Sequence, residues 1–121
     1  INDIGYTISA DLADRIIEEY KKFADQAHAQ GIKVIGATIT PFGGTDYAKN
    51  HWEIREGIRQ KINDWIKSTD YFDGYIDFDA AIRDEADPTI MAKKYSSDGL
   101  HPNFAGYQKM GEAIDLNLFI D

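Results

Sequence analysis

Apolar residues recur every three or four positions over residues 9–30, at Leu12, Ile16, Tyr20, Phe23 and Ala27. That period predicts an amphipathic helix. Thr7 or Ser9 can cap its start, and Gly31 can close its end in a left-handed conformation. Residues 32–39, Ile-Lys-Val-Ile-Gly-Ala-Thr-Ile, then form a short, β-branched, nearly uncharged run that Pro41 stops. An apolar run without alternation predicts a strand covered on both faces, as in a parallel sheet. Phe42-Gly43-Gly44-Thr45-Asp46 reads as a loop. A second helix is predicted over residues 52–67, with Ile54, Ile58, Ile62, Trp65 and Ile66 on one face, and a second strand over residues 75–78. A loop with Pro88 leads to a turn at Asp98. Asn103 is placed to cap a last helix carrying Phe104, Tyr107, Met110 and Ile114.

This order predicts an α/β fold with a parallel sheet and helices on both faces. Two strands make a poor sheet of that kind. Ile1 is therefore expected to be the tail of a further strand, with other strands upstream.

Composition narrows the picture modestly. The 121 residues suit one domain, 1–121. With 13 Lys and Arg against 21 Asp and Glu, the net charge of −8 argues against nucleic acid or an anionic membrane as a main partner. The apolar fraction of 43% is that of a soluble globular protein. The absence of cysteine excludes disulfides, thiolate chemistry and cysteine–zinc sites. It leaves the compartment open, so a secreted or periplasmic location fits as well as a reducing one. No apolar run approaches the roughly 18 residues of a membrane-spanning helix, so no transmembrane segment is expected.

The chemistry centres on Asp98-Gly99-Leu100-His101-Pro102-Asn103. A carboxylate three residues before an imidazole, in a turn, can hold one ring nitrogen and leave the other free to accept a proton. Such a pair is two thirds of a serine-hydrolase triad. Sites of open α/β sheets form beyond the carboxyl ends of the strands. Asn2, the 40–46 loop and the 98–101 turn all follow predicted strands, so all three are expected to face one crevice.

These residues resemble the SGNH hydrolases, or GDSL esterases and lipases, over essentially the whole chain. The 98–103 segment, followed by Gly106-Tyr107, resembles the family's last block, and Ile1-Asn2-Asp3 resembles the end of its Gly-x-Asn-Asp block. Residues 34–44 and 75–81 are similar to segments common in bacterial members. The resemblance implies a flavodoxin-like three-layer sandwich with five parallel strands and ester hydrolysis through an acyl-enzyme, without cofactor or metal. His101 would be the general base, Asp98 would fix its tautomer, and Asn2 would donate its amide N–H to the oxyanion. The substrate would be a small-molecule ester: short acyl, lipid or acetylated sugar.

The chain departs from the family in two respects: it lacks the second block, whose glycine supplies another oxyanion donor, and it lacks the nucleophile motif. It has no Gly-Asp-Ser, and none of Ser9, Ser68, Ser96 and Ser97 sits in a nucleophile motif. The serine is therefore expected upstream, and the chain is expected to be the C-terminal part of a longer enzyme. Its uncovered faces would then hold its own N-terminal fragment or a second copy. The alternative is a non-catalytic binding or interaction module that keeps the fold.

Other residues have blander readings. Asn2 alone could be a strand-end turn residue, and Asp3 a local hydrogen-bonding one. His28, late in a helix, suits the carbonyl end. His51 is either a solvated loop residue or a substrate contact. Asp77 and Asp79, two apart on a predicted strand, would point to one face and could be imagined with Asp98 and His101 as a metal site. Trp52 and Trp65 default to core packing, although Trp52 could line an acyl or sugar pocket.

Overall fold

Two three-residue strands form the sheet in the computed structural model, which describes residues 1–120. β1 (Ile35–Ala37) and β2 (Gly74–Ile76) are parallel, with Ile35 opposite Gly74 and Ala37 opposite Ile76. Backbone bonds from Asp73 N–H to Val34 O (2.8 Å) and from Thr38 N–H to Ile76 O (3.0 Å) extend the pairing at either end. The predicted strands were longer. Ladder pairing stops where β2 ends, and Ile32 and Lys33 face solvent.

Three helices precede or cross between the strands: α1 (Asn2–Tyr6), α2 (Leu12–His28) and α3 (Trp52–Ser68). α4 (Phe78–Ile82) and α5 (Phe104–Glu112) follow and pack on each other, while α2 packs on α3. The expected strand tail at Ile1 is instead the cap position of α1. Asp3 lies in the first turn of α1, where a carboxylate is favoured.

The start of α2 also differs. Asp11 occupies the cap position, and Ser9 donates its hydroxyl to the Asp11 carboxylate rather than to the helix. Gly31 follows the helix with φ +69°, as a left-handed closing residue does. On α2 the buried positions are Leu12, Ala13, Ile17 and Ala24, whereas Phe23, expected in the core, is 63% exposed. Leu12, Ala13 and Ile17 form one cluster with Ile4, Phe42, Ala48, Ile58, Ile62 and Ile66, with Trp52 and Trp65 packed against it. Trp52 meets Phe42 edge to face at 5.6 Å, as a core residue would.

α3 holds a surprise beside its isoleucines. Arg55, Arg59 and Asn63 are all buried, while Ile54 is exposed. Their spacing of four puts them in one stripe along the helix. Asn63 pins one residue twice, accepting from Ile39 N–H at 2.7 Å and donating to Ile39 O at 2.9 Å. Arg59, with no exposed surface, reaches Asp79 at 2.9 Å, Glu56 at 2.6 Å and Ile39 O at 3.0 Å.

Asp79 is thus an ion-pair partner within α4. Asp77 caps that helix, accepting from Ala80 N–H at 3.0 Å and from the Thr38 hydroxyl at 2.9 Å. The alternation that would have put both on one strand face is absent, because the chain turns into α4 immediately after Ile76.

Removing one partner of a buried ion pair leaves an uncompensated charge. Arg59→Met should therefore lower stability by about 3–5 kcal/mol. The lower end is expected, because Arg83 stays 3.5 Å from the Asp79 carboxylate. Urea unfolding monitored by circular dichroism checks this. A loss under about 1 kcal/mol, the scale of an exposed pair, would contradict the assignment.

Candidate active site

The turn before α5 is built by hydrogen bonds that span six residues. Asp98 Oδ1 accepts from the backbone N–H groups of Leu100 and His101, both at 2.8 Å. Its other oxygen, Oδ2, lies 2.7 Å from His101 Nδ1. Ser96, buried beneath, accepts from Gly99 N–H at 2.9 Å and donates to His101 O at 2.7 Å, with Asp98 Oδ1 at 3.1 Å. Gly99 has φ +76°, which a side chain disfavours, and a Cβ there would lie 3.3 Å from Thr45 Cγ2. Asn103 then caps α5 by accepting from Gly106 N–H at 3.0 Å.

This geometry decides the protonation pattern. A carboxylate only accepts, so His101 Nδ1 donates to it. In the neutral ring, Nε2 then carries the lone pair, and it has no hydrogen-bond partner among the described residues. The His101 side chain is 73% exposed. Asp98 is held well below the usual carboxylate range, first by the His101 ring, then by the N–H groups of His101 and Leu100 and by the Ser96 hydroxyl.

Asn2 is exposed at the first position of α1 and forms no side-chain hydrogen bond with Asp98 or His101. The 40–46 loop and the turn after it link the two ends indirectly. Thr45 and Gly43 lie against Gly99, and Tyr47 lies against Gly5 of α1, its hydroxyl 2.9 Å from that of Tyr6. Leu100 and Ile4 pack on one core cluster.

Other expectations resolve plainly. His28 Nε2 meets Asp73 Oδ2 at 2.9 Å, tying the end of α2 to the sheet. His51 is exposed at the cap of α3 with φ +55°, next to Asn50 at φ +58°. Among the serines, Ser96 is engaged in the turn, Ser9 bonds to Asp11, and Ser68 donates to Asp64 O. No group of three or more metal-type ligands forms among the described residues, and Asp79 is engaged by arginine.

A groove of about 760 Å³ opens beside α1 and α2, lined by Ile1, Ile4, Leu12, Ile16, Tyr20 and Ile39 with charged residues. A second, of about 990 Å³, lies along α4 and the 92–95 segment. Neither is lined by Asn2, Asp98 or His101. Sequence reasoning missed the buried polar stripe of α3, because arginine and asparagine at helical spacing normally mark a solvated face.

A carboxylate–imidazole pair of this kind supplies two of the three members of a serine-hydrolase triad. The GDSL-like lipase/acylhydrolase family model matches residues 1–109, and the chain belongs to that family. A crystal structure of a Bacteroides fragilis protein titled as an acylhydrolase shares the fold, with a TM-score of 0.67 and 21% identity over 98% of this chain. The chain spans 57% of that protein's length. No curated protein sequence matches the chain. No helix among the described residues is long and apolar enough to cross a membrane.

The depressed Asp98 pKa has a definite sign. A lowered folded-state pKa contributes stability that is complete above the ordinary carboxylate pKa of about 4 and is lost as pH falls below it. Asp98 should remain ionised at pH values where a carboxylate of ordinary pKa protonates. Carboxyl ¹³C chemical shifts followed from pH 6 to 2 check this, and an Asp98 midpoint at or above about 4 would contradict it.

Proposed function

We propose that this chain supplies the base, its orienting carboxylate and an oxyanion donor of a serine ester hydrolase. The observation that carries the reading is the 2.7 Å contact between Asp98 and His101 Nδ1 with Nε2 left open. His101 takes the proton from a serine hydroxyl as that oxygen attacks the ester carbonyl. Asp98 holds the ring and stabilises the imidazolium. Asn2 donates its side-chain N–H to the oxyanion of the tetrahedral intermediate. His101 then gives the proton to the departing alkoxide, and water, deprotonated by the same nitrogen, releases the acid.

The nucleophile lies upstream of Ile1 in this reading. Three of the four serines support that, since Ser96 is engaged in the turn and Ser9 and Ser68 are bonded locally, while Ser97, exposed beside Asp98, sits in no nucleophile motif. Two further features favour a covering segment. Among the described residues β1 is paired along one edge only, and the groove beside α1 combines five apolar side chains and Tyr20 with a rim of charged residues. The occupant is the protein's own N-terminal part or, in its absence, a second copy. Light scattering on the 121-residue chain alone should show self-association, and a stable monomer of 13.7 kDa would contradict this. The substrate is a small carboxylic ester, with short acyl, lipid and acetylated-sugar esters as the candidates.

Fluorophosphonate labelling of the protein with its upstream residues, read by intact mass, tests the assignment. One label on an upstream serine is expected, and His101→Ala should slow both labelling and ester turnover by about 10²–10⁴-fold. Absence of labelling in the folded protein would favour a non-catalytic binding module instead.

A further inference from the structure

We propose that Arg55 is a positioning residue for catalysis, holding α1, and with it Asn2, where the oxyanion forms. The proposal rests on the reading of Asn2 as the oxyanion donor given above. Arg55 is 6% exposed. No carboxylate pairs with it among the described residues. Its guanidinium donates instead to three backbone carbonyls: Nη1 to Ile4 O and Gly5 O, and Nε to Asn50 O at 3.2 Å.

This placement runs against the local preferences of α3. A buried cation without a counter-ion is expensive, and a positive charge near a helix N-terminus opposes the helix dipole. Arg55 sits three residues after Trp52, the first residue of α3. A residue that breaks local rules in this way points to a tertiary or functional demand. The demand is visible at the far end of the side chain. Ile4 and Gly5 lie near the C-terminal end of α1, where carbonyls lack helical partners and favour a cation.

α1 needs such a hold. Five residues are too few for a helix to sustain itself, so tertiary contacts must fix it. Ile4, 1% exposed, sets its depth. The Tyr47 ring sits so close to Gly5 that a Cβ there would fall 1.9 Å from Tyr47 Cδ1. These contacts and the Tyr6–Tyr47 hydroxyl pair hold one face of the helix. Gripping two successive carbonyls adds a polar lock on rotation about the axis, because the two lie about 100° apart round it. Asn2 is two residues before Ile4, about 200° round the helix, and is accordingly exposed. Rotation of α1 therefore swings the Asn2 amide sideways. A misplacement of about 1 Å in a catalytic group costs on the order of 10²-fold in rate.

The same guanidinium also braces a strained turn. Asn50 and His51 are successive non-glycine residues with φ +58° and +55°. Such conformations persist only when the surroundings over-determine them. Arg55 Nε holds Asn50 O, and the Arg55 backbone N–H donates to His51 O at 3.2 Å. One residue thus fixes both the entry to α3 and the orientation of α1.

The test is a double-mutant cycle in the protein with its upstream residues, using p-nitrophenyl acetate. Asn2→Ala should lower kcat by about 10²–10³-fold. Arg55→Lys should lower kcat by about tenfold with little change in KM, because a positioned donor acts in the transition state. The combined variant should turn over no more slowly than Asn2→Ala alone, since nothing is left to position. Losses that multiply in the double variant, or a raised KM with unchanged kcat, would overturn the role of Arg55 while leaving Asn2 intact. Unchanged kcat in Asn2→Ala would overturn the reading of Asn2 itself. Arg55→Gln, which keeps an N–H donor without the charge, replaces the lysine variant in the cycle if the latter does not fold.

Discussion

A guanidinium removed from water must find an acceptor for its N–H groups, and α3 of this protein buries two of them in one stripe. Arg55 satisfies that demand on backbone carbonyls, Arg59 mainly on the carboxylates of Glu56 and Asp79 with Ile39 O beside them, and Asn63 a turn further on binds Ile39, so that the stripe reaches weakly structured segments. Those segments are α1, the stretch after β1 and the 50–51 turn. Each would otherwise be loosely held, because neither short helices nor loops stabilise themselves. The stripe therefore converts the rigidity of one 17-residue helix into rigidity of the pieces around the site. The Arg59–Asp79 pair extends the same hold to α4.

The parts legible in the sequence were those governed by period and by local turn chemistry. The α2 and α3 helices announced themselves through isoleucine and leucine spacing, and Asn103 and Gly31 punctuate the structure as their residue types favour. Illegible were the features set by distant contacts. Phe23 reads as core from its spacing, yet no described element covers it. Asp77 and Asp79 read as alternating strand residues, but the carboxylate of Asp77 caps a new helix and Asp79 is drawn in by Arg59. The polar stripe of α3 gave no signal, because its acceptors lie up to 51 residues away in the chain.

The candidate site divides along the same line. Asp98, His101, Gly99 and Ser96 form a unit closed within six residues, so its geometry follows from local sequence. Asn2 depends on contacts reaching from residue 4 to 55 and from residue 6 to 47. The first half of the site is therefore robust to change elsewhere in the molecule, and the second is not. Sequence alone could name Asn2 through family resemblance, but it could not say what holds it.

Exposure sets the remaining constraint. A hydrogen-bonded pair as open to water as Asp98–His101 is only partly shielded, because solvent competes for its hydrogen bonds and screens any charge on it. The same pair in a dry site orients an imidazolium strongly, since electrostatic stabilisation grows as water is excluded. A segment covering this face, as proposed above, would therefore do more than bury apolar surface. By excluding water from the 98–101 turn it would raise the chemical value of a geometry already complete in the chain. Covering the groove beside α1 would hold that helix from a second side. A covering segment that reached both faces, as the proposed function requires, would act on one half by changing its dielectric surroundings and on the other by fixing its position.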